Sequence, residues 1–414
     1  MNIKKIFFRG LVSGVCFCAY SFSAIANDTI RFTWEIEPGN LSKGLTIRAT
    51  VDEPFFVNWG DNNSNDSNGN GSINIALSHT YYSLGTYTVS IVGYNPSCRF
   101  TYFSCNSSSL ISLDVSNCTA LTTLYCYLNS LSSLDVSKNT DLTTLLCYNN
   151  SLSSLDVSKN TALTRLECNG NSLTSLDVSK NTFLTGLYCY SNSLNSLDVS
   201  KNMALTWLYS YNNHIPLSDL YAASKMVSDV NNKRLGTQTL PPQMIVAGSV
   251  VDFSLQSKFG TPDTFTVFTI KKGNLPADTI IDYIIEDGII TFHTEGNYTV
   301  TMTNDAILSR SDYPAEVIVE FNVDGVGIVE TNSICPIQIY PNPTTGKLTI
   351  NNEQLTIKNV EIFDVVGCKL SHFITGSVSG AELHNSHIEI DISHLSAGMY
   401  FLKINNKITK IIKY

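Results

Sequence analysis

Absences in the sequence exclude several classes of function. Asp and Glu total 35 against 26 Lys and Arg, no Lys/Arg cluster occurs, and the formal net charge at pH 7 is −9. An acidic chain without a basic patch is poorly suited to nucleic acid or anionic lipid, because both attract positive charge. After residue 26 no apolar run reaches the roughly 18 residues of a membrane helix, so we predict no transmembrane segment.

Motifs of the common hydrolases and nucleotide-binding enzymes are absent as well. The sequence contains no HExxH, no P-loop and no GxSxG, and GSVSG at 376–380 has Val378 where a nucleophilic serine would stand. No cysteine has an obvious histidine partner. We therefore predict that the protein is not an enzyme and holds no cofactor.

Residues 1–26 have the pattern of a cleavable secretory signal peptide. Basic residues at positions 4, 5 and 9 precede an apolar run that closes on the small-residue triplet Ala24-Ile25-Ala26. Cys16 would also allow a lipoprotein signal, but Val15 stands where lipid attachment needs a small residue. We expect the mature chain to begin near Asn27, and loss of the three basic residues changes the net charge from −9 to −12.

Residues 100 to about 222 repeat with a period of 21. Within LTTLYCYLNSLSSLDVSKNTD at 121–141, the pattern Leu-x-x-Leu-x-Cys-x-x-Asn-x-Leu resembles the leucine-rich-repeat consensus, with cysteine in the third apolar position. Leu131, Leu134 and Val136 repeat that pattern in the second half, which leaves no room for a helix. We predict a mainly β fold, in which residues 100–237 form a leucine-rich-repeat solenoid with strands on both faces.

A helical cap is expected at the C-terminal end of this solenoid. In IPLSDLYAASKM at 215–226, Ser218 precedes an apolar periodic run and is the expected N-cap. A helix at this point would cover the last coil, whose edge would otherwise pair with other chains.

Five cysteines occupy equal positions in successive coils. They are Cys105, Cys126, Cys147, Cys168 and Cys189. Alternation along each strand points them inward, where cysteine is a small apolar filler of a narrow core. Five stacked thiols cannot all pair, and no histidine recurs with them, so we favour buried free thiols over disulfides or zinc. Cys98 and Cys118, which lie outside this series, are left as a possible disulfide.

Two asparagine ladders run through the repeat, from Asn129 to Asn213 and from Asn139 to Asn202. At a coil corner the backbone leaves donors and acceptors unpaired, and a buried amide satisfies them. These residues are predicted to be structural.

The outward positions of the second face carry a row of aspartates. The row consists of Asp114, Asp135, Asp156, Asp177 and Asp198. Like charges at strand spacing repel, so we expect compensation from the lysines three residues further on, from Lys138 to Lys201. Capture of a divalent cation is the alternative.

The first face is predicted to carry aromatic side chains on its outer surface. They are Tyr125, Tyr127, Tyr148, Tyr188, Tyr190, Trp207, Tyr209 and Tyr211. Aromatic rings with a polar tip provide rigid contact area for a protein and can stack on sugar rings, so this is the expected binding surface. The alternative is that tyrosines are good strand residues that shield an exposed sheet.

Residues 27–99 have short alternating segments and turn-rich breaks. Trp59-Gly60-Asp61 is followed by His79-Thr80-Tyr81 and by Gly85-Thr86-Tyr87-Thr88-Val89. This order resembles the immunoglobulin-like sandwich of the polycystic-kidney-disease type, which implies a β-sandwich domain at 27–99. Alternating segments at 238–327 predict a second immunoglobulin-like sandwich.

A partial calcium-loop pattern lies in the first of these regions. Asp66, Asn68 and Asn70 match its first half, but Leu77 replaces the glutamate at position twelve that would bind the ion through both oxygens. A polar hairpin loop accounts for the pattern, so we predict no metal site and keep the three residues as weak candidates.

Residues 337–414, after a linker at 328–336, carry the most specific resemblance. The residues concerned are Tyr340, Pro341, Asn342, Pro343, Gly346, Gly398, Tyr400, Lys410 and Lys413, with VEIFDVVG at 360–367 between them. They look like the C-terminal sorting domain of the type IX secretion system of Bacteroidetes. The resemblance implies that the secretion machinery and its sortase are partners, and that the chain is secreted or displayed on the cell surface. Cys368 and Tyr414 depart from the family pattern.

These observations together predict a surface or secreted protein without catalytic activity. It would use the aromatic face of the solenoid to bind an extracellular protein or glycan. The alternatives are a structural spacer or surface-layer component without a specific ligand, and an accessory protein that docks a polysaccharide.

Overall fold

The computed structural model describes residues 27–325, 338–340, 344–345, 347–351, 359–364, 369–374, 387–404 and 407–413. The expected signal peptide and linker lie outside the described residues. The chain divides into two compact units, Met1–Thr239 with Ile307–Ala315 and Leu240–Ala306 with Glu316–Tyr414. No described helix is long and apolar enough to cross a membrane.

The first unit begins with a two-layered β-structure. Its strands are β1 (Thr29–Ile36), β2 (Ser42–Ala49), β3 (Pro54–Asn58), β4 (Ser64–Asn68), β5 (Ile75–Thr80), β6 (Gly85–Gly93), β7 (Phe100–Ser104) and β8 (Leu110–Asp114). One sheet has the order β4-β3-β6-β1-β8. The strands alternate apolar and polar residues, so that in β1 the side chains of Ile30, Phe32, Trp34 and Ile36 are buried between the layers.

The residues that suggested an immunoglobulin-like domain contact one another in this layer. The His79 Nε2 lies 2.7 Å from the Asp61 Oδ2, and the His79 ring stacks on Trp59 with centroids 5.1 Å apart. The Tyr81 hydroxyl donates to the Trp59 carbonyl oxygen at 2.8 Å. The cluster joins the turn after β3 to the end of β5, and the assignment to the polycystic-kidney-disease type stays a prediction.

The repeat forms a solenoid with one short parallel strand in each coil. The strands are β9 (Thr123–Tyr125), β10 (Thr144–Leu146), β11 (Arg165–Glu167), β12 (Gly186–Tyr188), β13 (Trp207–Tyr209) and β14 (Lys233–Arg234), and the short strand β15 (Thr237–Thr239) follows outside this sheet. From β9 to β13 each residue pairs with the one 21 positions later, as Leu124 does with Leu145. The predicted mainly β fold with a repeat solenoid is confirmed.

The solenoid sheet continues into the N-terminal layers without a break. A single sheet of nine strands has the order β14-β13-β12-β11-β10-β9-β7-β2-β5. Strand β7 pairs in parallel with β9 and antiparallel with β2, so the first coil belongs to both structures. The open N-terminal end of the repeat is therefore covered by strands and is not exposed as an edge.

The predicted strand on the second face is wrong for the coils after the first. Residues 131–136 and their equivalents form no strand among the described residues, although β8 of the first coil pairs with β1. Leu131 and Leu134 are buried, whereas the two serines between them are both exposed. Two outward residues in succession break the period of two that a strand requires.

The C-terminal end of the solenoid is covered by helix α1 (Leu217–Met226), followed by a short 3₁₀ helix at Val230–Asn232. The expected helix is present, but its N-cap is Pro216 and not Ser218, which lies inside the first turn. Asp219 accepts a hydrogen bond from the Leu197 backbone N–H at 3.1 Å, which attaches the helix to the last full coil.

Segment Ile307–Ala315 also belongs to the first unit and packs on the last strand. The Arg310 backbone N–H donates to the Lys233 carbonyl oxygen at 2.9 Å. The Ser309 Oγ accepts from the Leu235 backbone N–H at 3.1 Å. A distant part of the sequence thus completes the cap.

The second unit contains a β-structure before the C-terminal domain. Its strands are β16 (Gln243–Val246), β17 (Val250–Asp252), β18 (Lys258–Phe259), β19 (Thr264–Phe265), β20 (Val267–Lys272), β21 (Leu275–Pro276), β22 (Tyr283–Glu286), β23 (Ile289–Phe292), β24 (Gly296–Thr303) and β25 (Glu316–Asp324), with a 3₁₀ helix at Ser254–Gln256. One sheet contains β25-β24-β20-β21 with β16 beside β25, and a second has the order β17-β23-β22. Phe292 packs against Tyr298 and Phe321 between them.

The C-terminal domain is described in part. Its strands are β26 (Gln338–Tyr340), β27 (Lys347–Asn351), β28 (Asn359–Phe363), β29 (Lys369–Ile374), β30 (His387–Asp391), β31 (Gly398–Ile404) and β32 (Lys407–Lys413). They form sheets β26-β27-β30 and β29-β28-β31-β32 around Leu348, Ile362 and Leu402.

Only some of the expected sorting residues can be placed. Pro341, Asn342, Pro343 and Gly346 lie outside the described residues, and Tyr340 is the last residue of β26. Gly398 and Tyr400 lie in β31, and Lys410 and Lys413 in β32. The Lys413 Nζ donates to the Ser393 carbonyl oxygen at 3.1 Å and to that of Leu395.

The thiols of the repeat form a buried column. Each of Cys105, Cys126, Cys147, Cys168 and Cys189 is at most 1% exposed, and all are free. Cys98 and Cys118 are also free and have different neighbours: the Cys118 thiol donates to the Thr29 carbonyl oxygen at 3.3 Å, and that of Cys98 to Glu53 at 3.9 Å. The structure therefore has no bridge between them.

The asparagines bond the backbone of the preceding coil. The Asn181 Nδ2 donates to the Val157 carbonyl oxygen at 2.9 Å and to the Asn160 carbonyl oxygen at 2.8 Å. In the other ladder the Asn150 Nδ2 donates to the Cys126 carbonyl oxygen at 3.0 Å. Each amide thus donates to carbonyl groups at a corner of the coil, where the backbone no longer pairs with a neighbouring strand.

Replacing Asn181 by leucine should destabilise the solenoid by about 2–4 kcal/mol, because two buried carbonyl oxygens lose their donor. Ser175→Ala, at an exposed position of the neighbouring segment, should change stability by less than roughly 0.5 kcal/mol. The measurement is the reactivity of the buried thiols as a function of urea concentration, which reports unfolding of the solenoid. Equal midpoints for the two variants would contradict the assigned role of the ladder.

The solenoid should lose stability above about pH 9. Burial raises the pKa of Cys105 and Cys189 to about 12 from an ordinary value of 9.0. Unfolded thiols ionise first, so their stabilising contribution is complete below pH 9 and decreases as the pH rises towards 12. Cys147→Ala should reduce the slope of unfolding free energy against pH by up to about 1.4 kcal/mol per unit. An unchanged slope would contradict a neutral buried thiol at this position.

Candidate binding surface

The outer surface of the solenoid sheet is built from alternate residues of β9 to β13. Leu124 and its equivalents point inward and are fully buried, so the residues on either side of each point outward. A further outward position follows each strand, two residues after its end, and contains Tyr127, Tyr148, Tyr190 and Tyr211. We call these residues, with the outward residues of the strands, the aromatic face.

Two pairs of tyrosines stack along the solenoid axis. The rings of Tyr127 and Tyr148 have centroids 4.4 Å apart and planes 8° apart. Those of Tyr190 and Tyr211 are 4.5 Å and 12° apart. Both separations are close to the strand spacing of about 4.8 Å, so each ring lies directly over the ring of the next coil.

The remaining aromatic residues meet edge to face. Tyr188 contacts Tyr209 with centroids 4.9 Å apart, and Trp207 contacts Tyr209 at 6.3 Å. Tyr125 lies 6.4 Å from Tyr127, which connects the two rows. The tyrosines are half-buried, whereas Trp207 is 40% exposed. The predicted site residues thus form two groups at the two ends of one face.

Two further aromatic residues belong to this face. Tyr102 of β7 contacts Tyr125 with centroids 5.3 Å apart, and Tyr313 contacts Tyr211 at 4.8 Å. Tyr102 precedes Thr123 by one period, so counting back from the first copy would have found it. Nothing in the sequence places Tyr313, because segment Ile307–Ala315 reaches the repeat only in the folded chain.

Arginines pack on the aromatic rings. The guanidinium of Arg234 lies 4.4 Å from the ring centroid of Tyr209 and 4.8 Å from that of Tyr313. Arg165 lies 5.1 Å from the ring centroid of Tyr188, and its Nη2 is 2.5 Å from the Glu167 Oε1. Such stacking holds a planar cation and a ring in fixed positions.

The phenols of Tyr125, Tyr148, Tyr188 and Tyr190 remain protonated at neutral pH. Burial raises the pKa of Tyr148 to about 12 and also raises the pKa of Tyr125, Tyr188 and Tyr190. The rings therefore present neutral hydroxyl groups, which can donate and accept hydrogen bonds. The charge at the centre of the face comes from Arg165 and Glu167, which neutralise each other.

The aspartates of the second face are stabilised mainly by hydrogen bonds from the serine two residues further on, and the lysines add to this. The Asp135 Oδ1 accepts from the Ser137 backbone N–H at 2.9 Å, and this bond is the main cause of its lowered pKa. Asp156 makes the same contact with Ser158. None of the ion pairs in the described part of the chain joins this row to the lysines, but the charge of Lys138 still lowers the pKa of Asp135 as a smaller effect. The local turn supplies most of the expected compensation and the lysines supply the rest without direct contact.

The weak metal candidates lie in a hairpin. Asp66 and Asn68 belong to β4, which pairs with β3, and Asp66 accepts a hydrogen bond from the Tyr94 hydroxyl. Asn70 lies just beyond β4. Within the described ranges, no group of three or more His, Cys, Asp or Glu side chains is arranged to hold a metal ion.

Residues 338–414 match the family described as the secretion system C-terminal sorting domain. This domain directs type IX secretion, so the protein reaches the cell surface or the extracellular space. The secretion machinery is therefore a partner of this chain.

Similar proteins cover parts of the chain. The ulvan lyase NLR42 of Nonlabens ulvanivorans is 27% identical over 143 residues, and the match covers 32% of this chain and 24% of that protein. This chain therefore spans about a quarter of the length of that relative.

Two solved structures of Listeria monocytogenes proteins are similar as well. The functional domain of InlJ, described as including a cysteine ladder, is 20% identical with a TM-score of 0.23 and covers 54% of this chain and 62% of its own. An internalin, inlF, is 23% identical with a TM-score of 0.26 and covers 30% of this chain and 36% of its own.

Proposed function

We propose that this secreted protein binds an extracellular protein or glycan through the aromatic face and has no catalytic role. The binding would be adhesive, with the solenoid as a rigid support. The sorting domain brings the chain to the location where such partners occur.

The observation that carries this proposal is the position of one tyrosine row. Tyr127, Tyr148, Tyr190 and Tyr211 lie beyond the ends of the short strands, so a preference of tyrosine for strands does not explain them. Their stacking in two pairs along the axis builds two half-buried surfaces with polar tips. Such surfaces supply rigid contact area at a low cost in conformational entropy, and tyrosine is enriched where binding energy concentrates.

A structural role is the second candidate. The nine-stranded sheet joins the N-terminal strands and the solenoid into one continuous element, as a spacer would require. The aromatic face would then have no ligand, and its removal would leave attachment and binding unchanged.

Replacing Tyr127, Tyr148, Tyr190 and Tyr211 together by serine should reduce binding at least tenfold, because the ring contacts are lost. The probes are arrays of fibronectin, collagen, laminin, mucin and immobilised glycans, tested with the full chain. Circular dichroism and thiol protection report whether each variant is folded.

The matched control changes four exposed serines of the opposite face to alanine, at positions 133, 154, 175 and 196. This control should bind as the parent protein does. If the tyrosine variant is folded and binds every probe as well as the control does, the adhesion proposal is wrong and the spacer role is favoured.

A further inference from the structure

One arginine at the C-terminal end of the aromatic face has no acceptor for its N–H groups. The Arg234 Cζ lies over two rings, 4.4 Å from the centroid of Tyr209 and 4.8 Å from that of Tyr313. The guanidinium makes no hydrogen bond or ion pair within the part of the chain that the structure describes. Of its three nitrogens only Nε is buried without a partner, so the unbonded terminal nitrogens are open to solvent. We call Arg234 and these two rings the Arg234 site.

The other charged groups at this end of the face form pairs. The Arg165 Nε donates to the Glu167 Oε1 at 2.7 Å. The Arg310 Nε lies 2.7 Å from the Asp312 Oδ1, and its Nη2 donates to the Oδ2 at 2.7 Å. Both carboxylates are therefore engaged by other arginines. One net positive charge remains, at Arg234.

The geometry of this cation suits a planar anion. The N–H groups of a guanidinium lie in its plane, so ring contacts on its faces leave the two terminal nitrogens to donate in parallel to one carboxylate. The contacts with Tyr209 and Tyr313 hold the group in place before a ligand arrives, which reduces the conformational entropy lost on binding. No acceptor reaches the buried Nε, so the charge is not compensated from the interior either.

Hydroxyl groups and an exposed indole surround the cation. Burial raises the pKa of Tyr190 and Tyr211, and the Arg234 charge acts against this, which places the guanidinium within electrostatic reach of both phenols. Trp207 is 40% exposed and lies 6.3 Å from Tyr209, centroid to centroid. A carboxylate bound to Arg234 would thus have phenol hydroxyls and an aromatic surface beside it. Sugar rings carry the matching hydroxyl groups and apolar C–H faces.

The charge of the chain limits how acidic the ligand can be. The formal net charge is −9, which opposes a polyanion, and the site offers a single unpaired cation and not a row of them. A ligand with one acidic group at the point of contact is therefore favoured. An acidic peptide would also supply a carboxylate, but it lacks the ring of hydroxyl groups that the phenols can bond.

We propose that the Arg234 site binds the carboxylate of one acidic pyranose, such as a uronic or sialic acid residue of a glycan. The proposal rests on the binding role of the aromatic face. The carboxylate accepts hydrogen bonds from the two terminal nitrogens of Arg234, and the sugar hydroxyls bond the neighbouring phenols. The apolar face of the sugar packs on the exposed indole of Trp207.

The decisive variant is Arg234→Met, which removes the charge and its donors but keeps an unbranched side chain to pack on the two rings. Arg48→Met is the matched control at the other end of the same sheet. The Arg48 guanidinium also lies over a ring, 5.6 Å from the centroid of Tyr102, but its Nε donates to the Asn74 Oδ1 at 3.0 Å. Both variants lose one positive charge and one contact between an arginine and a tyrosine.

Binding of the full chain to trigalacturonic acid and to sialyllactose is measured by titration calorimetry. Each sugar is compared with its methyl ester, which lacks the negative charge, and an acetylated peptide containing glutamate is the acidic peptide probe. The parent protein and Arg48→Met should bind at least one of the acids at least tenfold more tightly than its ester. Arg234→Met should bind acid and ester equally. The comparison of acid with ester in the parent protein requires no substitution, so it tests the site even if Arg234→Met does not fold.

Three results would each overturn the proposal. They are equal binding of acid and ester by the parent protein, a retained preference for the acid in folded Arg234→Met, and binding of the peptide at least as tight as that of the sugar acids. Any of these, together with loss of array binding in the variant lacking four tyrosines, would retain the adhesive role and remove only the Arg234 site. If the tyrosine variant also binds the arrays as the parent does, both proposals are wrong.

Discussion

Register between successive coils is the constraint on which the rest of the first unit depends. Each solenoid strand pairs with the strand 21 residues later, so every side chain lies over its equivalent in the next coil. Equivalent side chains of the sequence repeat therefore form straight rows along the solenoid axis. Leucines and thiols fill the interior, amides bond the corners, and phenol rings stack outside. A shift by one residue would exchange the interior and exterior sets, because alternate side chains point to opposite sides.

Stacked coils need covered ends, and here the covers also extend the candidate binding surface. Strand β7 joins the repeat to the N-terminal layers and supplies Tyr102, while Ile307–Ala315 packs at the other end and supplies Tyr313. Arg234 between Tyr209 and Tyr313 connects the last strand to this cover. The segments that cover the two ends of the solenoid therefore also extend the aromatic face.

Features that follow from the 21-residue period can be predicted from the sequence. Features that depend on contacts between distant segments of the chain cannot. The rows of Cys126 and Tyr127 follow from counting, as does the sorting domain from its motifs. The second face has no strand after the first coil because two exposed residues separate Leu131 from Leu134. This spacing is visible in the sequence, but the repeated leucine-rich-repeat pattern led to the prediction of a strand. The sharing of β7 between two structures and the arrival of Tyr313 are tertiary events without a local signal.

Insertion of repeat material tests register most directly. A second copy of residues 142–162 inserted after residue 162 adds one complete coil, whereas insertion of residues 142–151 alone displaces every later row by half a coil. The account predicts that the complete copy folds with its thiols protected and at least the parent's resistance to urea, because nearest-neighbour contacts are repeated. The half copy should expose the thiols that follow it. Equal protection of the thiols in both proteins would contradict in-register stacking as the basis of this fold.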